Sequence, residues 1–503
     1  MKKKILLICK EKNSISFYHS LEKLSKNFLV DILFFMPHEN DGSYFYNLFK
    51  KNNFVNKIYS TNSVIDKYFL AKKNLVKPNI LFLKKIERKF KDFKNIRMQL
   101  NSIEYFSTYY HDRDIYHEVK NDHQLIFYEI YYKKILQILN LSKPVYIFDN
   151  DISEFRPIIY ELSRQKNIPY IVGALSYYED YCIPNFNLQA KPDYWLEKKV
   201  KKKGFVNQRN LLIKKEFKYK YIDIMLDYSS LTPYNVFREI YLFFKSFFFI
   251  HNISKTGYRF SLSAKFFKRR FLNLKIMIKK FIIKKFINFN DELESMNEKF
   301  VIFPLSYAPE GSTFTISPLF LNEKYCIELI SKCLPVNYKL ILKEHPVMLG
   351  QRSLSFYKEI QKLPNIIFLN PFSNYKIKNL ISKSSAVATI SGTAGFEAIM
   401  LKKPSILFAR PLYSVLEGCY SFENVDNFKK DLNIILNKKK IQSYSSLKNY
   451  IDLVKKFGKK VDTTVLNSIN KFPKEIIEKN VDNFIAVFKI GIELNKNIKK
   501  HEK

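Results

Sequence analysis

Through the second half of the chain, short apolar runs ending in polar residues alternate with stretches of helical periodicity. The runs at 300–305, 338–343, 365–369, 386–390 and 405–409 are predicted strands, and helices are predicted near 323–333, 353–362 and 375–383. Five strands alternating with helices predict a doubly wound parallel sheet. In such a sheet the polar residues just past each strand's carboxyl end share one crevice, where ligands bind. Glu310, Ser312, Thr313, Lys343, His345, Ser391, Thr393, Glu397 and Tyr413 are therefore expected to be neighbours.

The N-terminal half is patterned less evenly. Residues 4–9 and 28–36 read as buried strands around a helix over 17–24, a βαβ start whose first loop lacks the glycines of a dinucleotide fingerprint. Between 40 and 135 the aromatics Tyr105, Phe106, Tyr109, Tyr110, Phe127, Tyr128, Tyr131 and Tyr132 suit core or interdomain packing, with a sugar platform as the competing reading. A strand at 144–148 ends in Asp149-Asn150-Asp151 before a helix reaching Gln165. Another at 169–173 ends near Ser176, Tyr177, Tyr178, Glu179 and Asp180. Those ends suit a general base that removes a proton from an acceptor hydroxyl. Asp151 is the first candidate, with Asp149 and Glu179 behind it, and a helix cap is the competing role for either aspartate.

The chemistry concentrates at 386–404, where a buried strand enters the small-residue turn Ser391-Gly392-Thr393-Ala394-Gly395 and leaves as a helix that stops before Pro404. Glycines allow close backbone approach, and unpaired N–H groups at a helix start favour a phosphate or carboxylate. Glu397, one turn into the helix, suits sugar or ribose hydroxyls. The competing reading makes Ser391 or Thr393 an N-cap and Gly395 a packing glycine.

With its neighbours, "PLSYAPEGST … LPVNYKLILKEHP … PNIIFLNP … ATISGTAGFEAIMLKKPSILFARPLY", this segment resembles the nucleotide-binding half of bacterial capsule and surface-polysaccharide glycosyltransferases with two Rossmann-like domains, the GT-B fold, close to the capsular Kdo-transferase group. The resemblance covers roughly 298 to 415. It implies a nucleotide-sugar donor, a CMP-linked ulosonic acid first among them, whose phosphate is held by His345, Ser391 and Thr393. Lys343 is expected to assist electrostatically, while Glu310, Ser312, Thr313 and Tyr413 would meet donor sugar or base. Lys402 departs from the Gly-Lys-Pro of similar sequences, which bears on a helix cap. No DxD-like site stands out, so no metal or cofactor is expected. A CDP-polyol phosphotransferase of teichoic-acid type and a non-catalytic polysaccharide assembly protein are the rival readings.

Composition adds a surface. Lys+Arg of 85 against Asp+Glu of 47 gives a formal charge of +38, which suggests an anionic partner. Part of that charge fits a genome biased toward lysine codons, and no nucleic-acid-binding module is recognisable, so an anionic membrane surface is favoured over nucleic acid. In the helix predicted over 265–282, Phe266, Phe267, Phe271, Leu274, Met277, Ile278, Phe281 and Ile282 share one side, intruded on by Arg270, with Lys265, Lys268, Arg269, Lys275, Lys279 and Lys280 opposite beside Leu272 and Ile276, an imperfect segregation. Docking on a bilayer and packing on the core with solvated lysines remain open. Five cysteines without a CxxC pair suit a reducing cytoplasm. The apolar start at 5–9 is too short for export, and no run reaches the length of an uncharged membrane span. The expected organisation is an α/β chain: an acceptor domain at 1–185, a basic helical insertion at 186–297, a nucleotide-sugar domain at 298–425 and C-terminal helices at 426–503 crossing back. The expected location is cytoplasmic, at the inner membrane face beside a glycan or lipid-linked acceptor.

Overall fold

A computed structural model describes residues 2–9, 14–35, 44–61, 63–90, 95–100, 123–150, 156–187, 192–201, 232–248, 264–290, 298–307, 316–317, 319–373, 375–422, 424–437, 445–466 and 472–501. They form two compact units, one built on Met1–Trp195 with Ile451–Lys503, the other on Leu196–Ile250 with Leu262–Tyr450. Residues from the expected insertion thus group with the second unit, and the tail from Ile451 returns to the first.

In the first unit, β1 (Lys3–Cys9), β2 (Phe28–Phe34), β3 (Lys57–Ser60), β4 (Tyr146–Asp149), β5 (Tyr170–Leu175) and β6 (Tyr181–Asn185) assemble in the order β6-β5-β4-β1-β2-β3. Strands β3 to β5 run parallel across that order, while β6 turns back antiparallel to β5 and pairs with the short strand Lys459–Lys460. Alternate residues of β1 face opposite layers, as a strand buried on both sides requires. Ile5 and Leu7 pack with Phe17 and Leu21 of α1 (Ile15–Ser25) and with Phe484 and Phe488 of the C-terminal helix Lys474–His501. Leu6 and Ile8 face α2 (Gln124–Ser142), where Phe127, Tyr128, Tyr131 and Tyr132 lie buried in the core. These four aromatics are packing, and Tyr105, Phe106, Tyr109 and Tyr110 lie outside the described residues.

The second unit carries β7 (Lys299–Pro304), β8 (Tyr338–Lys343), β9 (Ile366–Leu369), β10 (Ala386–Thr389), β11 (Ser405–Leu407) and β12 (Cys419–Ser421), all parallel in the order β12-β11-β10-β7-β8-β9. Counted from β7 this is 6-5-4-1-2-3, the doubly wound Rossmann arrangement. Both sheets therefore bear out the α/β, two-Rossmann-unit fold class. Successive strands are joined through α6 (Glu323–Cys333), α7 (Leu354–Gln361), α8 (Ile377–Lys383) and α9 (Thr393–Met400), and α10 (Phe428–Asn437) follows β12. Two further helices belong here, α4 (Pro233–Phe248) and α5 (Ala264–Phe286); in the first unit, α3 (Arg156–Gln165) links β4 to β5. Among the described residues no helix is long and apolar enough to cross a membrane.

Candidate functional site

The chain reverses its direction of winding between β7 and β10, so the crevice of the second unit opens at their carboxyl ends. Strand β10 is buried throughout and delivers the turn 391–395 to that point. Gly392 caps α9 with extended backbone and no side-chain cap bond, so the first-turn amides of α9 face the crevice without a capping side chain. Thr389 Oγ1 accepts from Gly392 N at 3.1 Å, and Tyr413 Oη donates to Gly392 O at 2.6 Å. The turn is thus held from both flanks. Ser391 is buried and Thr393 exposed, so only Thr393 offers its hydroxyl freely to solvent.

Two expectations for this turn change. A Cβ on Gly395 would lie 2.4 Å from Tyr413 Oη, 2.7 Å from Ser405 Oγ and 3.0 Å from Leu407 Cδ2. Gly395 lets α9 lie close to β11 rather than letting a ligand approach. Tyr413, expected against donor sugar or base, is fully buried with its ring on Phe396 and its hydroxyl committed to Gly392. It braces the turn.

His345 follows β8, on the other side of β7. Its amide donates to Glu344 Oε1 at 2.9 Å, and its ring meets Tyr307 edge-on at 5.6 Å between centroids. Beneath it lies a network that periodicity did not suggest. Arg352 Nε donates to Glu344 Oε2 at 2.9 Å, its Nη2 to Ser306 O at 2.7 Å, and its Nη1 pairs with Glu323 Oε2 at 2.5 Å. Glu323 Oε1 accepts Ser306 N at 2.6 Å, and Tyr357 Oη donates to Glu344 Oε2 at 2.8 Å. One buried guanidinium thereby ties the ends of β7 and β8 together. Burial lowers the His345 imidazole below its ordinary pKa and neighbouring Arg352 lowers it further, so the ring is neutral at pH 7 with one N–H to donate.

Lys343 is half-buried, its pKa lowered by burial, and its Nζ donates to Tyr375 O and approaches Ser373 Oγ at 3.5 Å. It fastens the loop after β9. Burial raises the Glu397 carboxyl, opposed by Lys378. Glu310, Ser312 and Thr313 lie outside the described residues. Beyond Tyr413 a cavity of about 390 Å³ is lined by Arg410, Ser414, Cys419, Ser446 and Asn449 among others. Arg410 pairs there with Glu197.

The first unit has a matching switch point between β1 and β4. Asp149, a reserve candidate for the base, is sealed from water there, 2.9 Å from the buried Arg156 Nε and accepting from Tyr170 Oη. A carboxylate so committed holds β4 to α3 and is not free to take a proton. Glu179 sits in the β5–β6 turn and is ion-paired with Lys460. Asp151 lies outside the described residues. Among those described, no group of three His, Cys, Asp or Glu side chains is placed to hold a metal, and all five cysteines are free thiols.

Residues 265–434 match the family described as capsule polysaccharide biosynthesis protein, about a third of the chain. No curated protein matches in sequence. Among solved structures, the chain is similar to the beta Kdo 2,7 transferase of KpsC from Thermosulfurimonas dismutans, at 11% identity over 70% of this chain and 88% of that one, TM-score 0.31. It is also similar to the UDP-GlcNAc 2-epimerase of Methanocaldococcus jannaschii in complex with UDP-GlcNAc and UDP, at 12% identity over 91% of this chain and 100% of that one, TM-score 0.25. From α5 into α10, a span that contains His345 and the turn 391–395, the chain resembles the capsule polysaccharide biosynthesis proteins.

Proposed function

We propose that the chain is a glycosyltransferase that moves a sugar from a nucleotide-activated donor to a growing capsule or other surface glycan. The observation that carries this reading is the uncapped start of α9 at the switch point of a unit resembling capsule polysaccharide biosynthesis proteins. The donor phosphate lies against the amides of Thr393 and Ala394, with Thr393 Oγ1 and the neutral His345 N–H as further donors. Glu397 accepts from ribose hydroxyls. A CMP-linked ulosonic acid is the donor that the family resemblance favours.

In the transfer, the acceptor oxygen bonds to the anomeric carbon while the carbon–oxygen bond to the donor phosphate breaks. The electron pair leaves with the nucleotide, where the α9 amides and His345 stabilise the developing charge. Asp151 takes the acceptor's proton. The reaction is proposed to run without a metal, so activity withstands chelation by EDTA.

A thermal-shift panel of CMP, CDP, UDP, GDP and their sugar conjugates tests the donor site. Ligand that binds only the folded protein raises the midpoint. One nucleotide class should stabilise wild type and lose its effect in His345→Ala at an unchanged ligand-free midpoint. No shift with any nucleotide rejects the reading and favours a non-catalytic assembly protein.

A further inference from the structure

Helices α4 and α5 pack on each other, and Asn273 Nδ2 donates to Glu239 Oε2 at 3.3 Å between them. The seat of α5 on its unit departs from that of a simple charged-side-out helix. Ile283 and Ile287 enter the core, and Lys280, expected on the solvated side, is only 7% exposed. Gly350, at φ +83, makes room for this contact, since a Cβ there would lie 2.6 Å from Ile276 O and 2.7 Å from Lys280 Cγ.

Part of the apolar row of α5 is therefore left outside, while Leu274, Met277 and Ile282 are partly buried. Phe271, Ile278 and Phe281 are 56%, 61% and 68% exposed. On α4 a second row is spaced by three, four and three residues, one helical stripe: Tyr234, Phe237, Tyr241 and Phe244, each more than half exposed. Phe266, Phe267, Leu272, Lys265, Lys268 and Arg269 have side chains outside the described residues.

Charge decides what covers these rows. Helix α5 contains nine Lys and Arg and no acidic residue, and Lys275, Lys284 and Lys285 are exposed. The single acid of α4, Glu239, is committed to Arg238 and Asn273. A second copy related by a two-fold axis would set this cationic surface against itself. A bilayer with anionic headgroups offers hydrocarbon for the aromatics and phosphate for the lysines.

We infer that the outward faces of α4 and α5 dock the protein on an anionic phospholipid surface. Its bearing on catalysis rests on the glycosyltransferase reading, for which it names the place where a lipid-linked acceptor is met. The docking itself does not need that reading.

Flotation of the full chain tests it, with phosphatidylcholine vesicles and with phosphatidylcholine–phosphatidylglycerol vesicles. Wild type should float with the anionic vesicles, less at high salt, and not with the neutral ones. Phe237→Ser/Tyr241→Ser/Phe244→Ser/Phe281→Ser should lower partitioning by about tenfold or more. Lys275→Glu/Lys285→Glu should lower it by about 25-fold or more. Reversing two exposed lysines elsewhere, Lys332→Glu/Lys383→Glu, should leave most of it. The thermal midpoint reports folding, and the lysine pair carries the test alone if the aromatic variant does not fold. Full flotation by either docking variant, equal loss in the control pair, or an oligomer that the aromatic variant dissolves while no species floats overturns the inference. Because the readout is lipid, its failure is distinguishable from failure of the nucleotide panel.

Discussion

Arg352 Nε donates to Glu344 Oε2 at 2.9 Å with both side chains sealed from water, and the other oxygen of Glu344 holds the amide of His345. The guanidinium also holds Ser306 O, so the ends of β7 and β8 share one buried cation. Removing it leaves two buried carboxylates, Glu344 and Glu323, without their counter-charge. Arg352→Met should cost the second unit about 3–5 kcal/mol, since breaking a buried pair strands its partner. Glu344→Gln keeps an acceptor and should cost less. Thermal unfolding of the two variants checks the order; equal midpoints would show that the network holds no strain-bearing charge.

Lys402 stands at φ +58 just after α9, in the left-handed region that glycine occupies without penalty. Lys402→Gly should stabilise the second unit by about 1 kcal/mol. Nucleotide-induced shifts should not change, because the position lies at the far end of α9 from the phosphate turn. A lower midpoint would mean that lysine's own contacts outweigh its backbone strain.

Gly395 and Tyr413 should couple. Gly395→Ala forces a methyl group to 2.4 Å from Tyr413 Oη and should cost about 1–3 kcal/mol. Tyr413→Phe, which loses the bond to Gly392, should cost about 1 kcal/mol. Taking away the hydroxyl also relieves the clash, so the double variant should cost less than the sum. Strict additivity in a double-mutant cycle would mean that the methyl group is accommodated elsewhere.

Five strands of the second unit, β7 to β11, were legible because each is a short apolar run between breakers. Strand β8 matches 338–343 to the residue, and α6 matches 323–333. Strand β12 was not, since Cys419, Tyr420 and Ser421 are three partly buried residues with no apolar pattern. Strand β6 was missed because Tyr177 and Glu179 turn the chain back at positive φ, which neither residue type announces. The site divides the same way. The phosphate turn is local in sequence and could be read there. The clamp of Arg352 on residues 306, 323 and 344 exists only once β7, α6 and β8 are packed. Likewise, the spacing of the α5 row was readable, but the outward direction of Phe271, Ile278 and Phe281 depends on Ile283, Ile287 and Lys280 pointing in.

Lys280 gives a pH signature. Burial, with Lys284 adding to it and Glu239 opposing, lowers its pKa to about 8 from an ordinary 10.5. Below pH 8 the ammonium is charged in folded and unfolded chains alike, and the full cost of burying it is present. Between about 8 and 10.5 the unfolded state binds more protons, so stability rises with pH. Lys280→Met should therefore stabilise the second unit most at pH 7 and below, by about 3 kcal/mol at most, and the gain should shrink toward pH 10. Unfolding curves across that range check it; a gain that does not vary with pH would trace to packing alone.

His345 supplies the opposite sign in binding. Its imidazole is neutral at pH 7 because burial and Arg352 both disfavour the cation. A phosphate bound at the α9 turn would favour the cation and raise the pKa in the complex. The bound state then takes up a proton that the free state lacks. Nucleotide affinity should tighten as pH falls through the raised pKa, by at most about tenfold per pH unit, and level off below the free-state value. His345→Gln keeps an N–H donor and cannot titrate, so its affinity should follow only the ligand's own phosphate ionisation. Calorimetric titrations at several pH values compare the two slopes. Equal slopes would remove His345 from the phosphate site and leave the α9 amides and Thr393 to hold the donor.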